Sequence, residues 1–317
     1  MNKVLITGAT GFVGAKLCDA LSRSGVPIVC ATRAVTPAAK RRPDREWIRM
    51  DVGRPETLDP ALKGCRAAFF LVHGMRDGDG FAEREAKAAV AFREAAARAG
   101  LERIIYLGGI APAGPASEHL ESRLRTGSLL REGSVPVFEL RASMIIGAGG
   151  ESWHIVRDLA VRLPLMILPR WLETRTEPIA IDDVVFALEQ ALTLPVALAG
   201  AYDIPGPETL SAKEIIFRTA RLRGRRPRAI GVPLLSPRLS SYWLKLVTGA
   251  DYPVARELVL GLACDLVSTG KPFWDVAPRT LTGFDDAART ALRAGDRRRS
   301  LPLTLLESAL SRMAPRG

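Results

Sequence analysis

Short apolar runs alternate with amphipathic stretches along the first half of the chain. The runs predict strands at 3–7, 28–32, 47–50, 67–72, 103–107 and 137–141. Stretches with apolar residues at three- and four-residue spacing predict helices at 11–24, 56–62, 81–99 and 118–132. Strands that alternate with helices are typical of a parallel sheet covered on both faces. The pattern therefore predicts an α/β fold, a doubly wound Rossmann sheet.

The second half predicts a smaller C-terminal lobe. A helix is expected at 151–163, and the proline-broken apolar stretch 165–171 lines a substrate cavity or simply packs the lobe. Residues 177–184 predict a strand and a helix capped by Asp182 or Asp183. Ser211 and Glu214 have the spacing of a capping box. We expect a Rossmann domain at 1–150 with 177–204 returning to it, a substrate lobe at 151–176 and 205–292, and a tail at 293–317.

The turn after the first strand carries the main chemical signal. It reads Thr7-Gly8-Ala9-Thr10-Gly11-Phe12-Val13-Gly14. Gly8 permits a tight turn, Gly11 lets the backbone approach a pyrophosphate, and Gly14 lets helix and strand pack closely. The free N–H groups around Thr10, Phe12 and Val13 then bind the phosphates at the helix N-terminus. A ligand-free turn is the alternative interpretation.

The residue after the second strand bears on the choice of cofactor. An acidic residue there favours NAD, whereas a cation favours the 2′-phosphate of NADP. This chain has Arg33, followed by Lys40, Arg41 and Arg42. The sequence therefore favours NADP(H) over NAD(H), unless the basic cluster is only a solvated loop.

Further cofactor-binding residues are expected at the carboxyl ends of later strands, where open parallel sheets bind ligands. Asp51 accepts a hydrogen bond from adenine or caps the following turn. The other predicted positions are Val52, Leu71, Val72, His73, Leu107, Gly108, Gly109, Ala142 and Met144.

Composition narrows the function classes. The net charge is +11, but the arginines are dispersed and the densest run, 221–228, has no interleaved aromatic residue, so we expect a solvated loop and no nucleic-acid partner. Four cysteines lack metal-ligand spacing and three histidines are scattered, so we expect no metal and free thiols in the cytoplasm. We expect neither a signal peptide nor a membrane span.

Several segments resemble the atypical short-chain dehydrogenase/reductase superfamily, and the nearest branch is the NmrA-like, NAD(P)H-binding group, which is similar to the Rossmann subunit of respiratory complex I. The segments are the glycine turn at 7–14, Leu-Val-His-Gly-Met at 71–75, Tyr-Leu-Gly-Gly at 106–109 and Glu-Leu-Arg-Ala at 139–142. The resemblance implies a seven-stranded parallel sheet, a bound dinucleotide and a C-terminal lobe over the nicotinamide.

The chain departs from this superfamily at the catalytic positions. Active members carry a serine after the fifth strand and Tyr-x-x-x-Lys on the next helix. Here the strand ends in Gly108-Gly109, His119 stands in place of the tyrosine, and Arg123 in place of the lysine. His119 titrates near neutral pH and is a candidate general acid, whereas Arg123 keeps its proton and suits ribose hydroxyls. The alternative is a degenerate site, with His119 a surface residue and Arg123 a solvated or ribose-binding cation. His73 is expected to be a loop histidine, with a catalytic role as the alternative, and His154 is expected to be structural or to face the substrate.

Two functions fit these residues. The first is an NADPH-dependent reductase of a small apolar carbonyl or enone. The second is a non-catalytic NADP(H)-binding redox sensor or assembly subunit, which the missing serine and tyrosine favour.

Overall fold

A computed structural model describes residues 3–72, 80–112, 114, 116–162, 165–225, 228–232 and 264–296. His73, most of the loop at 75–80 and most of the apolar stretch 242–266 lie outside the described residues. So do residues 226 and 227 of the basic run and the tail after 296.

Seven parallel strands form the central sheet, in the order β3-β2-β1-β4-β5-β6-β11. The strands are β1 (Lys3–Ile6), β2 (Ile28–Thr32), β3 (Trp47–Arg49), β4 (Cys65–Phe70), β5 (Arg103–Gly109), β6 (Val137–Ala142) and β11 (Gly200–Asp203). The strand order reverses between β1 and β4, and ligands bind at such a switch point in doubly wound sheets. The predicted Rossmann sheet is confirmed, with the seven strands that the family resemblance implies.

Helices cover both faces of this sheet. They are α1 (Phe12–Arg23), α2 (Val35–Arg41), α3 (Leu58–Leu62), α4 (Phe81–Arg98), α5 (Glu118–Arg131) and α7 (Ile181–Thr193). A 3₁₀ turn, Pro55–Thr57, precedes α3. One buried cluster joins α1 and α7 to the sheet, and a second joins α3, α4 and α5 to its other face. Apolar residues on both faces of the strands explain why the strands are nearly continuous hydrophobic runs.

A third buried cluster packs outside the sheet around the fully buried Trp153 and Phe284. It is built on α6 (Glu151–Arg162), α8 (Ala212–Leu222) and α9 (Phe284–Asp296). Small two-stranded sheets surround it: β7 (Ile145–Ile146) with β10 (Ile179–Ala180), β9 (Arg175–Thr176) with β12 (Leu210–Ser211), and β8 (Leu165–Pro169) with β13 (Arg228–Val232). Further 3₁₀ turns are Arg170–Glu173, Val196–Leu198 and Phe273–Asp275.

Most predicted elements are confirmed within a few residues, and the capping box of Ser211 and Glu214 is present. Helix α2 was not predicted, because its seven residues carry no clear apolar period. The expected cap of α7 is wrong: Ala180 is the N-cap and no side chain caps it. Asp183 is instead fully buried and accepts hydrogen bonds from Arg279 Nε and the Thr282 N–H.

Candidate cofactor and active site

Steric constraints explain two of the three glycines in the turn between β1 and α1. Gly8 has φ of +64°, and a Cβ there would lie 2.6 Å from the Leu71 carbonyl oxygen. A Cβ at Gly14 would lie 2.2 Å from the Gly8 carbonyl oxygen. Contacts this short are impossible, so α1 can approach β1 and β4 this closely only with glycine at both positions. Both roles match the sequence prediction.

The first turn of α1 is arranged to receive an anion. Its N-cap is the exposed Gly11, which has no side chain to bond the first N–H groups. Thr10 is exposed, Phe12 and Val13 are half-buried, and the turn contains no carboxylate. The helix dipole and the free N–H groups therefore favour a phosphate at this point. Together with the glycines, this first turn fits the diphosphate of a dinucleotide.

The Phe12 ring extends away from this turn. A Cβ on Gly147 would lie 2.7 Å from its Cζ atom, and one on Gly150 would lie 3.0 Å from its Cε1 atom. These glycines lie between β7 and α6. Just before them, residues 145–146 form the strand β7, which pairs with β10. Phe12 therefore contacts the entry to the third cluster directly.

The threonine that ends the first apolar run links the two strands at the switch point. Thr7 Oγ1 donates to the Phe69 carbonyl at 3.0 Å and accepts from the Leu71 N–H at 2.8 Å. Leu71 and Val72, both predicted cofactor residues, are half-buried just beyond β4. Sequence reasoning missed this role of Thr7, although a buried hydroxyl beside a glycine turn needs such partners.

The basic residues after β2 differ in their surroundings. Arg33 follows the strand directly and is exposed. Arg42 instead donates to Asp19 and Asp44, each at 2.8 Å. These bonds raise the pKa of Arg42 far above the ordinary value, and the hydrogen bond that Arg42 donates to Asp44 is the largest cause. Arg42, which was predicted to belong to the phosphate-binding cluster, is therefore held in ion pairs at the end of α2.

Asp51 adopts the second of its two predicted roles. Its Oδ1 atom accepts the Gly53 N–H at 3.0 Å, which closes the turn after β3. Its own N–H donates to Thr57 Oγ1 at 3.0 Å. Val52 is half-buried and packs against the α3–α5 side of the sheet.

The end of β5 is glycine because a neighbouring leucine needs the space. A Cβ on Gly109 would lie 2.6 Å from Cδ1 of Leu120. A Cβ on Gly108 would lie 3.1 Å from the Tyr106 ring. A side chain at position 109 would therefore require the Leu120 side chain to shift. Nothing in the sequence pattern indicated this contact except the three-residue spacing of Leu120 from Arg123.

Arg123 lies against this strand end. Its Nη2 atom donates to the Leu107 carbonyl, and its buried Nε atom has no hydrogen-bond partner among the described residues. The Tyr106 hydroxyl donates to the Arg123 carbonyl at 2.9 Å and fixes the helix backbone. Burial raises the pKa of Tyr106 to about 12, so this hydroxyl keeps its proton and does not replace the missing tyrosine.

His119 lies one helical turn before Arg123. It is half-buried, and its ring centroid is 6.3 Å from that of Phe81, the first residue of α4. Ser117 caps α5 by accepting the Leu120 N–H, and this contact sets the start of the helix. The structure therefore places His119 near the start of α4 and Arg123 at the end of β5.

The last two predicted cofactor residues differ from each other. Ala142, which ends β6, is buried in the cluster on the α1 side. Met144 is buried in the third cluster, and its carbonyl accepts the Ile179 N–H at 2.9 Å. His154, which was expected to be structural or to face the substrate, is half-buried on α6.

Two further expectations concern metals and membranes. In the described ranges, no three His, Cys, Asp or Glu side chains are grouped to hold a metal ion. Among the same residues, no helix has the length and apolarity of a membrane span. All four cysteines are free thiols, as expected, and Cys18 and Cys30 lie 3.5 Å apart.

Relatives with known names share most of the chain. A ceramide reductase of Caulobacter vibrioides is 30% identical over 237 residues, which are 73% of each chain. The (4-alkanoyl-5-oxo-2,5-dihydrofuran-3-yl)methyl phosphate reductase of Streptomyces griseus is 27% identical over 277 residues, or 84% of this chain and 90% of the relative.

Solved structures share the fold. The triphenylmethane reductase of Citrobacter sp. in complex with NADP(H) superposes with a TM-score of 0.73 at 17% identity, covering 91% of this chain and 99% of that chain. The same reductase in a second structure gives a TM-score of 0.74 at 16% identity, covering 92% and 99%.

The family comparison agrees with the geometry. The sequence model of the NAD dependent epimerase/dehydratase family matches residues 4–135, the range that contains the glycine turn and strands β1 to β5. The chain thus belongs to the NAD-dependent epimerase/dehydratase family, within the short-chain dehydrogenase/reductase superfamily.

Proposed function

We propose that this protein is an NADP(H)-dependent reductase of an apolar carbonyl or enone compound. The observation that carries the proposal is the dinucleotide cradle at β1 and α1. Gly8 and Gly14 leave no room for a side chain, and the first turn of α1 offers free N–H groups. The two curated relatives, which share about three quarters or more of the chain, are both named reductases.

The choice of NADP(H) rests on Arg33. No carboxylate follows β2 to bind a ribose 2′-hydroxyl, and the exposed guanidinium of Arg33 suits a 2′-phosphate. The NADP(H) complex of triphenylmethane reductase, a protein with this fold, supports the same choice.

The bound nicotinamide would supply a hydride to the substrate. Arg123, which is held against the end of β5 by the Leu107 carbonyl, binds the ribose hydroxyls with its remaining N–H groups. His119 delivers a proton to the substrate oxygen, because its imidazole exchanges protons near neutral pH.

The substrate class follows from the relatives. One is named for ceramide and the other for a dihydrofuranone with an alkanoyl chain. Both compounds carry an aliphatic chain, and the second also carries a phosphate ester, which supports a substrate with an aliphatic part for this chain too. The third cluster, around Trp153, provides the apolar lobe beside the cleft. The free cysteines support a reducing, cytoplasmic location.

One observation favours the second function, a redox sensor or assembly subunit that binds NADP(H) without turnover. Gly109 provides no hydroxyl at the end of β5 and Leu120 packs against it, while the Tyr106 hydroxyl is engaged by the backbone of α5. Such a protein would bind the cofactor as tightly as a reductase does, but it would not oxidise it.

Turnover and binding measured together separate the two functions. NADPH oxidation is followed with a panel of quinones, enones, long-chain ketones and aldehydes, and NADPH binding is titrated in the same preparation. The reductase hypothesis expects turnover with at least one acceptor, and loss of about a hundredfold in kcat for His119→Gln with NADPH binding unchanged. Glu118→Gln, an exposed position in the first turn of the same helix, is the matched control and should keep full turnover.

Tight NADPH binding with no oxidation of the cofactor by any acceptor would favour the sensor. Unchanged turnover in His119→Gln would show that another group or water supplies the proton.

A further inference from the structure

Two thiols lie against each other where α1 packs on β2. Cys18 belongs to α1 and Cys30 to the middle of β2, and their Sγ atoms are 3.5 Å apart. Both side chains are fully buried, and the Cys30 strand is paired on both sides, with β1 and β3. At this distance one thiol donates a hydrogen bond to the other, so the two sulfur atoms face each other directly.

A buried cation accompanies this pair of thiols. The Arg45 side chain is only 2% exposed, and its Nη2 atom donates to Asp19 at 2.6 Å. Its Nε atom is buried and has no hydrogen-bond partner among the residues that the structure describes. The hydrogen bond between the thiols lowers the pKa of Cys30 and raises that of Cys18. Burial opposes the shift at Cys30, whereas the charges of Arg45 and Arg42 assist it. Cys30 is therefore the sulfur that loses its proton more readily.

The other two cysteines have different surroundings. Cys65, at the start of β4, is also buried, but its thiol donates to the Ala61 carbonyl at 3.8 Å. Cys264 is half-buried. Burial raises the pKa of both thiols above the ordinary value. Because the thiolate is the reactive form of cysteine, these two residues are internal controls for the pair.

We propose that Cys18 and Cys30 are a redox-modification site, a dithiol that hydrogen peroxide oxidises reversibly to a disulfide between α1 and β2. The Cys30 sulfur attacks one peroxide oxygen, the O–O bond breaks, and Cys30 becomes a sulfenic acid while water leaves with the thiol proton. The Cys18 sulfur then attacks the Cys30 sulfur, the S–O bond breaks, and a second water leaves as the S–S bond forms. The two thiols lose two electrons and two protons, and the peroxide is reduced to two water molecules.

Access of the oxidant, and not the distance between the sulfurs, limits this reaction. The Sγ atoms must approach from 3.5 Å to a bond length of about 2.05 Å, which is less than about 1 Å for each side chain. Neither sulfur is exposed, so peroxide enters only when α1 moves away from β2. A cofactor bound at the first turn of α1 opposes this movement and protects the thiols. The protection rests on the proposed cofactor site, whereas the disulfide itself does not.

Peroxide treatment of the full chain tests the site. The reduced wild type, Cys18→Ala, Cys30→Ala and Cys65→Ala are treated with hydrogen peroxide, and their intact mass and their free thiols after unfolding are measured. Cys65→Ala is the matched control, because it removes a buried thiol from the cluster on the other face of the sheet. Peptide mapping identifies the linked residues, and thermal unfolding of each reduced variant checks its fold.

We expect the wild type and Cys65→Ala each to lose two hydrogen atoms in mass and two free thiols, and to regain them with dithiothreitol. Mapping should join the Cys18 and Cys30 peptides. Cys30→Ala should keep its thiols, and Cys18→Ala should accumulate a sulfenic acid at Cys30 that dimedone traps. NADPH at about ten times its Kd should slow disulfide formation in the wild type about tenfold, because only the cofactor-free protein opens.

Four free thiols in the peroxide-treated wild type would overturn the inference. Oxidation of Cys65 as fast as that of Cys30 would also overturn it, since peroxide would then attack buried thiols without regard to the pair. An equal rate with and without NADPH, in a wild type that binds NADPH, would contradict the protection through α1. Failure of the wild type to bind NADPH would overturn the proposed function and leave the disulfide result as it stands.

Discussion

The two ends of the candidate cleft differ in whether backbone or side-chain atoms form their walls. At β1 and α1 the walls are backbone, and the determining feature is the absence of side chains at Gly8 and Gly14. At β5 and α5 the walls are side chains, with Leu120 against Gly109 and Arg123 against the Leu107 carbonyl. A site made from backbone keeps its ligand as long as its glycines remain, whereas a site made from side chains can change its chemistry by substitution.

The largest effect is expected where the backbone wall is filled. Gly14→Val should destabilise the fold by about 3 kcal/mol and abolish NADPH binding, because its Cβ would lie 2.2 Å from the Gly8 carbonyl oxygen. Denaturant unfolding and fluorescence titration measure the two effects. Gly25→Ala is the control: Gly25 has φ of +72° but nothing within 4 Å of its Cβ position. It should cost only about 1 kcal/mol and leave binding unchanged. If Gly14→Val kept the stability and the NADPH binding of the wild type, the cofactor end would not depend on the absence of side chains, and the two ends of the cleft would not differ in this way.

A smaller effect on stability is expected from adding a side chain at the end of β5. Gly109→Ser should cost about 1–2 kcal/mol, since its Cβ would meet Leu120 Cδ1. Leu120→Ala removes that atom, so the double variant should be more stable than the sum of the single changes predicts, by about 1 kcal/mol. Urea unfolding of all four proteins gives this coupling. Strict additivity would mean that Leu120 does not exclude the serine.

The smallest effect is expected from the ion pairs that Asp19, on α1, forms with Arg42 and Arg45. Burial of Asp19 opposes ionisation, but hydrogen bonds from Arg42 and Arg45 outweigh it and hold the pKa of this carboxyl below its ordinary value of 3.8. A lowered folded-state pKa gives stability that is present above pH 4 and lost as the pH falls through the folded value. The pair is half-exposed, so Asp19→Asn should cost less than about 1 kcal/mol at neutral pH. The difference from the wild type in thermal unfolding should shrink as the pH falls below 3.8 and vanish below the folded-state pKa, and a constant difference at every pH would contradict the assignment.

The difference between backbone and side-chain walls also explains how much of the site the sequence could predict. The spacing of Gly8, Gly11 and Gly14 after an apolar run was enough to locate the cradle, because the constraint is local and acts on the backbone. The register of β2 and β3 sets Thr32 opposite Arg49, and the sequence pattern did not specify it. Arg42 forms an ion pair with Asp19 and is therefore not available to a phosphate. This ion pair joins α1 to the end of α2, and α2 itself was not predicted.

At the other end, the sequence correctly located Gly108, Gly109, His119 and Arg123 at the strand end and on the next helix. It did not show that Leu120 packs against Gly109, since that contact joins two elements whose packing follows from the tertiary fold. The proton-transfer role of His119 and the ribose contact of Arg123 stay predictions.

The contact of Phe12 with Gly147 and Gly150 limits how this protein can diversify. The ring belongs to the cofactor turn, but the space that it fills is provided by two glycines at the entry to α6. A lobe transplanted from a relative that lacks these glycines would press on the ring and displace the first turn of α1. Packing therefore couples the cofactor turn to the start of α6, because a side chain at either glycine would meet the Phe12 ring.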